Sequence, residues 1–298
     1  MTFTAVLLIA VSAIAHALWN LLGKRQGSTA TFFFFANLMG WLCLLPVLAF
    51  TATAVPGMLA RAGWLVLLTG FFQALYFSSL AAGYRDGELS MVYPIARSAA
   101  VLFVTVANVA LGRAAQLGPL ALAGAGLVVV GILLVPHARF RDITPRAFRS
   151  RGVRFALLAA VGTMGYSIVD DHALRLLRPG LAPLAPTLTT LLYALFEGAA
   201  TSLWLCAFLL PRRASSLRLP RRELRPALLS GIAIFAAYAL VLVAMGFARN
   251  VTYVVAFRQM SIPIGVLLGV AVLGEPLTAP KAVGVLAVTA GLVLVAVG

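Results

Sequence analysis

The chain has 298 residues, 62% of them hydrophobic and 10% charged, with a mean hydropathy of +1.02. A soluble globular protein is nearer half apolar and a quarter charged, so this composition excludes a soluble fold and implies an integral membrane protein. The net charge of +15 would suggest nucleic acid on a soluble protein. Here most of the arginines fall in two connecting loops, which fits anionic lipid headgroups and topology control and argues against nucleic-acid binding.

Apolar runs of about 20 residues match a bilayer-crossing helix. They exclude a barrel, whose strands would alternate and be about half as long. Read against turn signals, the runs predict ten spans: Phe3–Leu22, Thr29–Phe50, Gly63–Gly83, Leu89–Leu111, Leu117–Pro136, Phe155–Leu176, Leu184–Leu210, Ala227–Phe247, Val251–Leu273 and Ala279–Val297. Ala15-His16-Ala17 has the small-x-small look of a signal cleavage site. The preceding segment, however, carries no Lys or Arg, so Phe3–Leu22 reads as the first membrane helix. Cys43 and Cys206 sit apart in apolar runs, with no spacing that suggests a disulfide framework or a metal site. No nucleotide-binding or cofactor motif is present, so any transport would draw on an ion or substrate gradient.

Span one carries His16, Trp19, Asn20 and Gly23 on one stripe, with Lys24 beyond it. A lone histidine more often packs by hydrogen bonding. Beside Trp and Asn it is also a candidate for a pathway, for proton transfer or for anion binding. Span four contains Tyr93-Pro94-Ile95-Ala96-Arg97, which places a guanidinium near the middle of an apolar run. At that depth a charge is costly, so Arg97 should face a protein interior. Arginine suits a bidentate grip on carboxylate or phosphate; the structural alternative is an ion pair or bonding to loosened carbonyls.

Span six reads as the weakest, because Asp170, Asp171 and His172 interrupt it. Tyr166 and Asp170 share a face, and Asp170 could pair with an arginine or bind a coupling proton. The alternative is an interfacial carboxylate, and Asp171 and His172 read as interfacial. Glu197 in span seven reads as a pairing or hydrogen-bonding group rather than a substrate contact. Span nine repeats the span-four theme with Arg258-Gln259 and Pro263, followed by the small-residue pair Gly265 and Gly269.

The two halves match each other. Leu111-Gly112-Arg113 corresponds to Leu273-Gly274-Glu275, Gly124 and Gly131 to Gly284 and Gly291, and Tyr76 to Tyr238. Residues 1–136 and 155–298 therefore form two five-helix repeats joined by the Arg-rich segment 137–154. Five is odd, so the second repeat enters the membrane from the opposite side. That arrangement is common in secondary transporters, with the substrate site near midplane. The alternative is duplication of a purely structural bundle. Loops on one side hold sixteen Lys and Arg, against five on the other. The sixteen should be cytoplasmic, leaving both termini outside.

The two five-helix halves, with Leu273-Gly274-Glu275-Pro276 and the Gly-spaced last helix, resemble the ten-helix EamA-type members of the drug/metabolite transporter superfamily over essentially the whole chain. His16-Ala-Leu-Trp19-Asn20, Tyr93-Pro94-Ile95-Ala96-Arg97 and Tyr166-Ser-x-x-Asp170 are similar to the subgroup named for association with phosphonate utilisation. The resemblance implies a central cavity lined by helices one, three, four, six, eight and nine. Two features depart from it: Arg113 stands where the glutamate of the first repeat is expected, and the charge count reverses the usual orientation.

The expectation is an all-α protein of the bacterial inner membrane, in contact with lipid and with a small molecule. It would be a secondary transporter of a small anionic or zwitterionic metabolite such as an amino acid, organic acid or phosphonate. Candidate substrate contacts are His16, Trp19, Asn20, Tyr76, Tyr93, Arg97, Tyr166, Tyr238, Arg258 and Gln259, with Asp170 or His16 as proton carrier. No cofactor is expected. The alternatives are a flippase for a lipid-linked phospho-sugar and an intramembrane enzyme using His16, Asp170 and His172.

Overall fold

The structure, a computed structural model, describes residues 3–110, 118–182, 184–212, 218–246 and 259–297. It is all-helical, with no strand among those residues. α1 (Phe3–Arg25) carries Lys24 and Arg25 in its last turn, where cations favour the negative end of the helix dipole. The chain reverses through Gly27 and Ser28, both at positive φ. Thr29 then caps α2 (Ala30–Leu42) by accepting from the Phe32 amide at 3.1 Å.

The expected second span, Thr29–Phe50, is not continuous. α2 stops at Leu42, and residues 45–54 run through short helical turns that begin around Pro46; proline has no N–H to continue a ladder. α3 (Val55–Asp86) opens with Pro56 in its first turn, well before the predicted boundary at Gly63. Its 32 residues give a length of ~48 Å, so the apolar run is only its middle. After α4 (Leu89–Ala110) and α5 (Pro119–Leu134) comes the basic connection, then α6 (Arg151–Gly180), capped by Ser150. Asp170, Asp171 and His172 do not interrupt α6. It runs unbroken for 30 residues, with Asp171 exposed and paired to Arg175 at 2.8 Å. α7 (Pro186–Leu209), α8 (Arg221–Gly246), α9 (Ser261–Leu273) and α10 (Ala279–Val297) complete the chain. Gly274 ends α9 at φ 69°, the left-handed conformation that only glycine adopts without strain.

Among the described residues, six helical stretches are long and apolar enough to cross a membrane, one of them Ala30–Asp86, which contains α2 and α3; α4, α5 and α9 supply shorter apolar segments. The outer surface is correspondingly apolar. On α1, Phe3, Leu7, Val11, Ile14 and Leu18 form an exposed stripe, while Ile9, Ser12, Ala13 and Asn20 are buried. A bilayer, not water, suits that face.

The most extensive helix pairings follow a regular scheme. α3 packs on α6 and α7, α8 on α1 and α2, and α4 on α6 and α9; α1 also meets α9, α2 meets α7, and α5 meets α10. Advancing every label by five exchanges α3–α6 with α8–α1, α3–α7 with α8–α2, and α4–α6 with α9–α1. The pairs α2–α7, α4–α9 and α5–α10 map onto themselves.

The same reciprocity holds at residue level where α5 crosses α10. A Cβ on Gly124 would lie 2.6 Å from the Gly291 carbonyl oxygen, and one on Gly291 2.6 Å from that of Gly124; Gly131 and Gly284 stand in the same relation at 2.6 and 2.8 Å. Backbones this close admit no side chain. Gly131→Val is expected to cost about 1–3 kcal/mol through overpacking. Helix content followed during detergent melting checks this; a melting temperature equal to wild type would mean the crossing is looser than described.

Candidate functional site

Between the helices lies a cavity of about 590 Å³, within the size range of small-molecule sites. α1 gives it His16 and Trp19, α3 gives Gln73, Tyr76 and Phe77, and α4 gives Arg97. α6 contributes Thr163, Tyr166, Ser167 and Asp170, α7 contributes Tyr193 and Glu197, and α8 contributes Tyr238; Asn37 of α2 and Gln259 also reach it. Eight of the sequence-derived candidates thus share one wall: His16, Trp19, Tyr76, Arg97, Tyr166, Asp170, Tyr238 and Gln259.

Asn20 and Tyr93 are placed elsewhere, and Arg258 lies outside the described residues. Asn20 is fully buried below the cavity, donating to the His16 carbonyl at 2.7 Å and accepting from the Tyr84 hydroxyl at 2.6 Å. Tyr93 is wedged between α4 and α9, where a Cβ on Gly265 would lie 2.6 Å from its ring. Both brace the wall without forming it. His172 is exposed on α6 and absent from the described wall, so it does not converge with His16 and Asp170.

The two wall carboxylates are held by neighbouring helices, whereas His16 and Trp19 bond to each other within α1. Trp19 donates to His16 Nδ1 at 3.2 Å, which leaves the ring proton of neutral His16 on Nε2. Tyr76 and Tyr166 meet edge to face with ring centroids 6.0 Å apart. Asp170 Oδ1 accepts from Thr69 at 2.5 Å and from the Tyr193 hydroxyl at 2.8 Å. Glu197 Oε1 accepts from the Gln73 amide, and the Thr201 hydroxyl donates to the Glu197 carbonyl at 2.8 Å with Gln73 Oε1 3.3 Å away. Among the described residues, Arg97 has no carboxylate within ion-pair distance and its buried Nε makes no hydrogen bond.

Toward the Lys24 end the cavity is closed in layers. Phe33 stacks on Phe77 with centroids 5.7 Å apart, and Trp19 lies edge-on to both at 6.1 Å. Beneath them is the Tyr84–Asn20 bond, then Lys24, which donates to the carbonyls of Tyr84 and Gly87. Beyond the α9–α10 turn, the Glu275 carboxylate accepts from the Leu89 and Ser90 amides at 2.6 and 2.7 Å, capping α4. Lys281, only 4% exposed, reaches Glu88 at 2.5 Å, Pro276 O at 2.8 Å and Ser90 Oγ at 2.9 Å. Among the described residues the wall continues toward the opposite end through Val104, Val241 and Val295.

Sequence reasoning did not find Gln73, Tyr193, Asn37, Thr163 or Ser167; it gave Glu197 a pairing or hydrogen-bonding role, and Glu197 is hydrogen-bonded to Gln73 and also lines the cavity. The signal available was a solitary polar residue within an apolar run, as at Gln73 between Leu65 and Leu80. Which solitary residues meet depends on how the helices pair.

An all-helical fold with long apolar helices fits a multi-pass membrane protein. No protein-family profile and no curated protein matches the sequence. The chain is similar in fold to a protein known from a crystal structure, with a TM-score of 0.51 and 20% identity over 98% of this chain and 93% of the other.

Proposed function

We propose that this protein is a secondary transporter of a small anionic or zwitterionic metabolite, working by alternating access. The observation that carries the reading is a cavity between the helices whose wall includes an arginine with no counter-ion among the described residues. A guanidinium is costly within the apolar depth of a membrane unless it has a partner, and a passing anion supplies one. Support also comes from the five-step exchange in the helix pairing and the reciprocal glycine crossing. Both follow from two inverted repeats, residues 1–136 and 155–298, that rock about the cavity.

In this reading Arg97, with Arg258, holds the anionic group. Trp19, Tyr76, Tyr166, Tyr238 and Gln259 shape the pocket, Asn20 and Tyr93 fix its wall, and Asp170 or His16 carries a coupling proton. The Arg-rich connections lie in the cytoplasm of a bacterial cell, and both termini lie outside. Loss of a charge-assisted hydrogen bond is worth about 1.5–3 kcal/mol, or roughly 10–100-fold. Arg97→Ala should therefore lower uptake of an accepted anion into proteoliposomes by at least about tenfold. Arg97→Lys should retain part of the rate, because it keeps the charge but not the fork. Uptake by Arg97→Ala at the wild-type rate would sink the anion assignment.

A further inference from the structure

We propose that the transported molecule carries a protonated amine as well as its anionic group, and that Asp170 and Glu197 form the amine subsite. This deepens the transport reading and rests on it. The described wall holds charged side chains of both signs: Arg97 on α4, and the two carboxyl groups on α6 and α7. Neither carboxyl has a lysine or arginine within ion-pair distance among the described residues. Their partners are neutral: Thr69 and Tyr193 for Asp170, Gln73 for Glu197.

Charged groups with a structural task in this protein are satisfied differently. Glu275 uses both oxygens on backbone amides, and Lys281 has a carboxylate, a hydroxyl and a carbonyl. The cavity carboxyls each use one oxygen on protein donors. Asp170 Oδ2 and Glu197 Oε2 have no hydrogen bond among the described residues, although both residues line the cavity. An ammonium brings three donors and a positive charge to that gap. A second anionic group would meet two acids there.

The spacing suits one small molecule. Gly83 and Val92 lie at one level, because a Cβ on Gly83 would be 2.9 Å from the Val92 side chain. Counting back along α3 to Gln73 and forward along α4 to Arg97, at about 1.5 Å per residue, separates their backbones by ~8 Å along the axis. An extended arginine covers much of that, leaving room for charges a few bonds apart. The chemistry is that of a short zwitterion, with the aromatic rings of Tyr76 and Tyr166 beside its apolar part.

The test is uptake into proteoliposomes of α- and ω-amino acids and aminoalkyl phosphonates, each beside the same molecule with hydrogen in place of the amine. We expect at least one amine-bearing probe to enter about tenfold or more faster than its des-amino partner. Glu197→Gln and Asp170→Asn, near-isosteric and checked for a monodisperse elution profile, should lower its uptake at least tenfold and remove that preference. Equal uptake of both partners by the wild type, lost in Arg97→Ala, would overturn the amine subsite and leave transport standing. Uptake of no probe in either class would overturn both.

Discussion

Glu275→Ala is expected to destabilise the protein by about 3–6 kcal/mol, the sum of two charge-assisted bonds to the first amides of α4. The carboxylate reaches Leu89 N and Ser90 N across the α9–α10 turn, so a single side chain ties the start of α4 to the end of α9. Gly269 makes room for it: a Cβ there would lie 2.5 Å from Glu275 Oε2. The neighbouring ion pair is asymmetric, with the side chain of Lys281 5% exposed and that of Glu88 41% exposed. Removing the cation by Lys281→Met lets Glu88 turn to water and should cost little. Glu88→Gln leaves a buried ammonium without its counter-charge and should cost more. Unfolding in detergent should rank the variants Glu275→Ala, Glu88→Gln, Lys281→Met, from most to least destabilised. A Glu275→Ala protein no less stable than one altered at the exposed Arg85 would show that the cap contributes nothing.

These tethers mark the limit of what the sequence reveals. Hydropathy finds the helices because lipid imposes a long apolar run on each, and the internal match pairs Gly124 and Gly131 with Gly284 and Gly291 before any fold is known. It does not disclose that these glycines pack crosswise on one another, since self-similarity and contact are different relations. Arg97 was legible because a guanidinium in an apolar run is costly. Glu197 was visible for the same reason, yet its partner Gln73 lies 124 positions away on another helix. Helix ends were read poorly at α2 and α3. There Pro46 and Pro56 decide the boundaries, while apolar composition continues across them. Asp170 looked like a break in α6 only while its partners on α3 and α7 were unknown.

In the proposed orientation, a cysteine placed in the cavity should be reached by a membrane-impermeant maleimide from outside the cell, and at least about a hundredfold more slowly from the cytoplasm. Ser167→Cys suits the test because Ser167 lines the cavity and is half-buried, once the free Cys43 and Cys206 are replaced by serine. The reason is the layered closure toward the Lys24 end: three buried aromatic rings, the Tyr84–Asn20 bond, and the Lys24 ammonium on two carbonyls. Water must displace all three layers to reach Ser167 from that end, and at about 1.4 kcal/mol per decade a hundredfold bias needs only ~3 kcal/mol between the two open states. The cap and ion pair at Glu275 and Lys281 tie α4 to α9 and α10 at the same end, so Glu275→Ala should raise cytoplasmic labelling of the Ser167→Cys protein. Phe77→Ala should do so as well, by removing a ring that touches both Trp19 and Phe33. If labelling comes faster from the cytoplasm in the parent protein, then either the Arg-rich loops face outward or the Lys24 end is open in the membrane; a reporter active only outside the cell, fused after Gly298, separates the two.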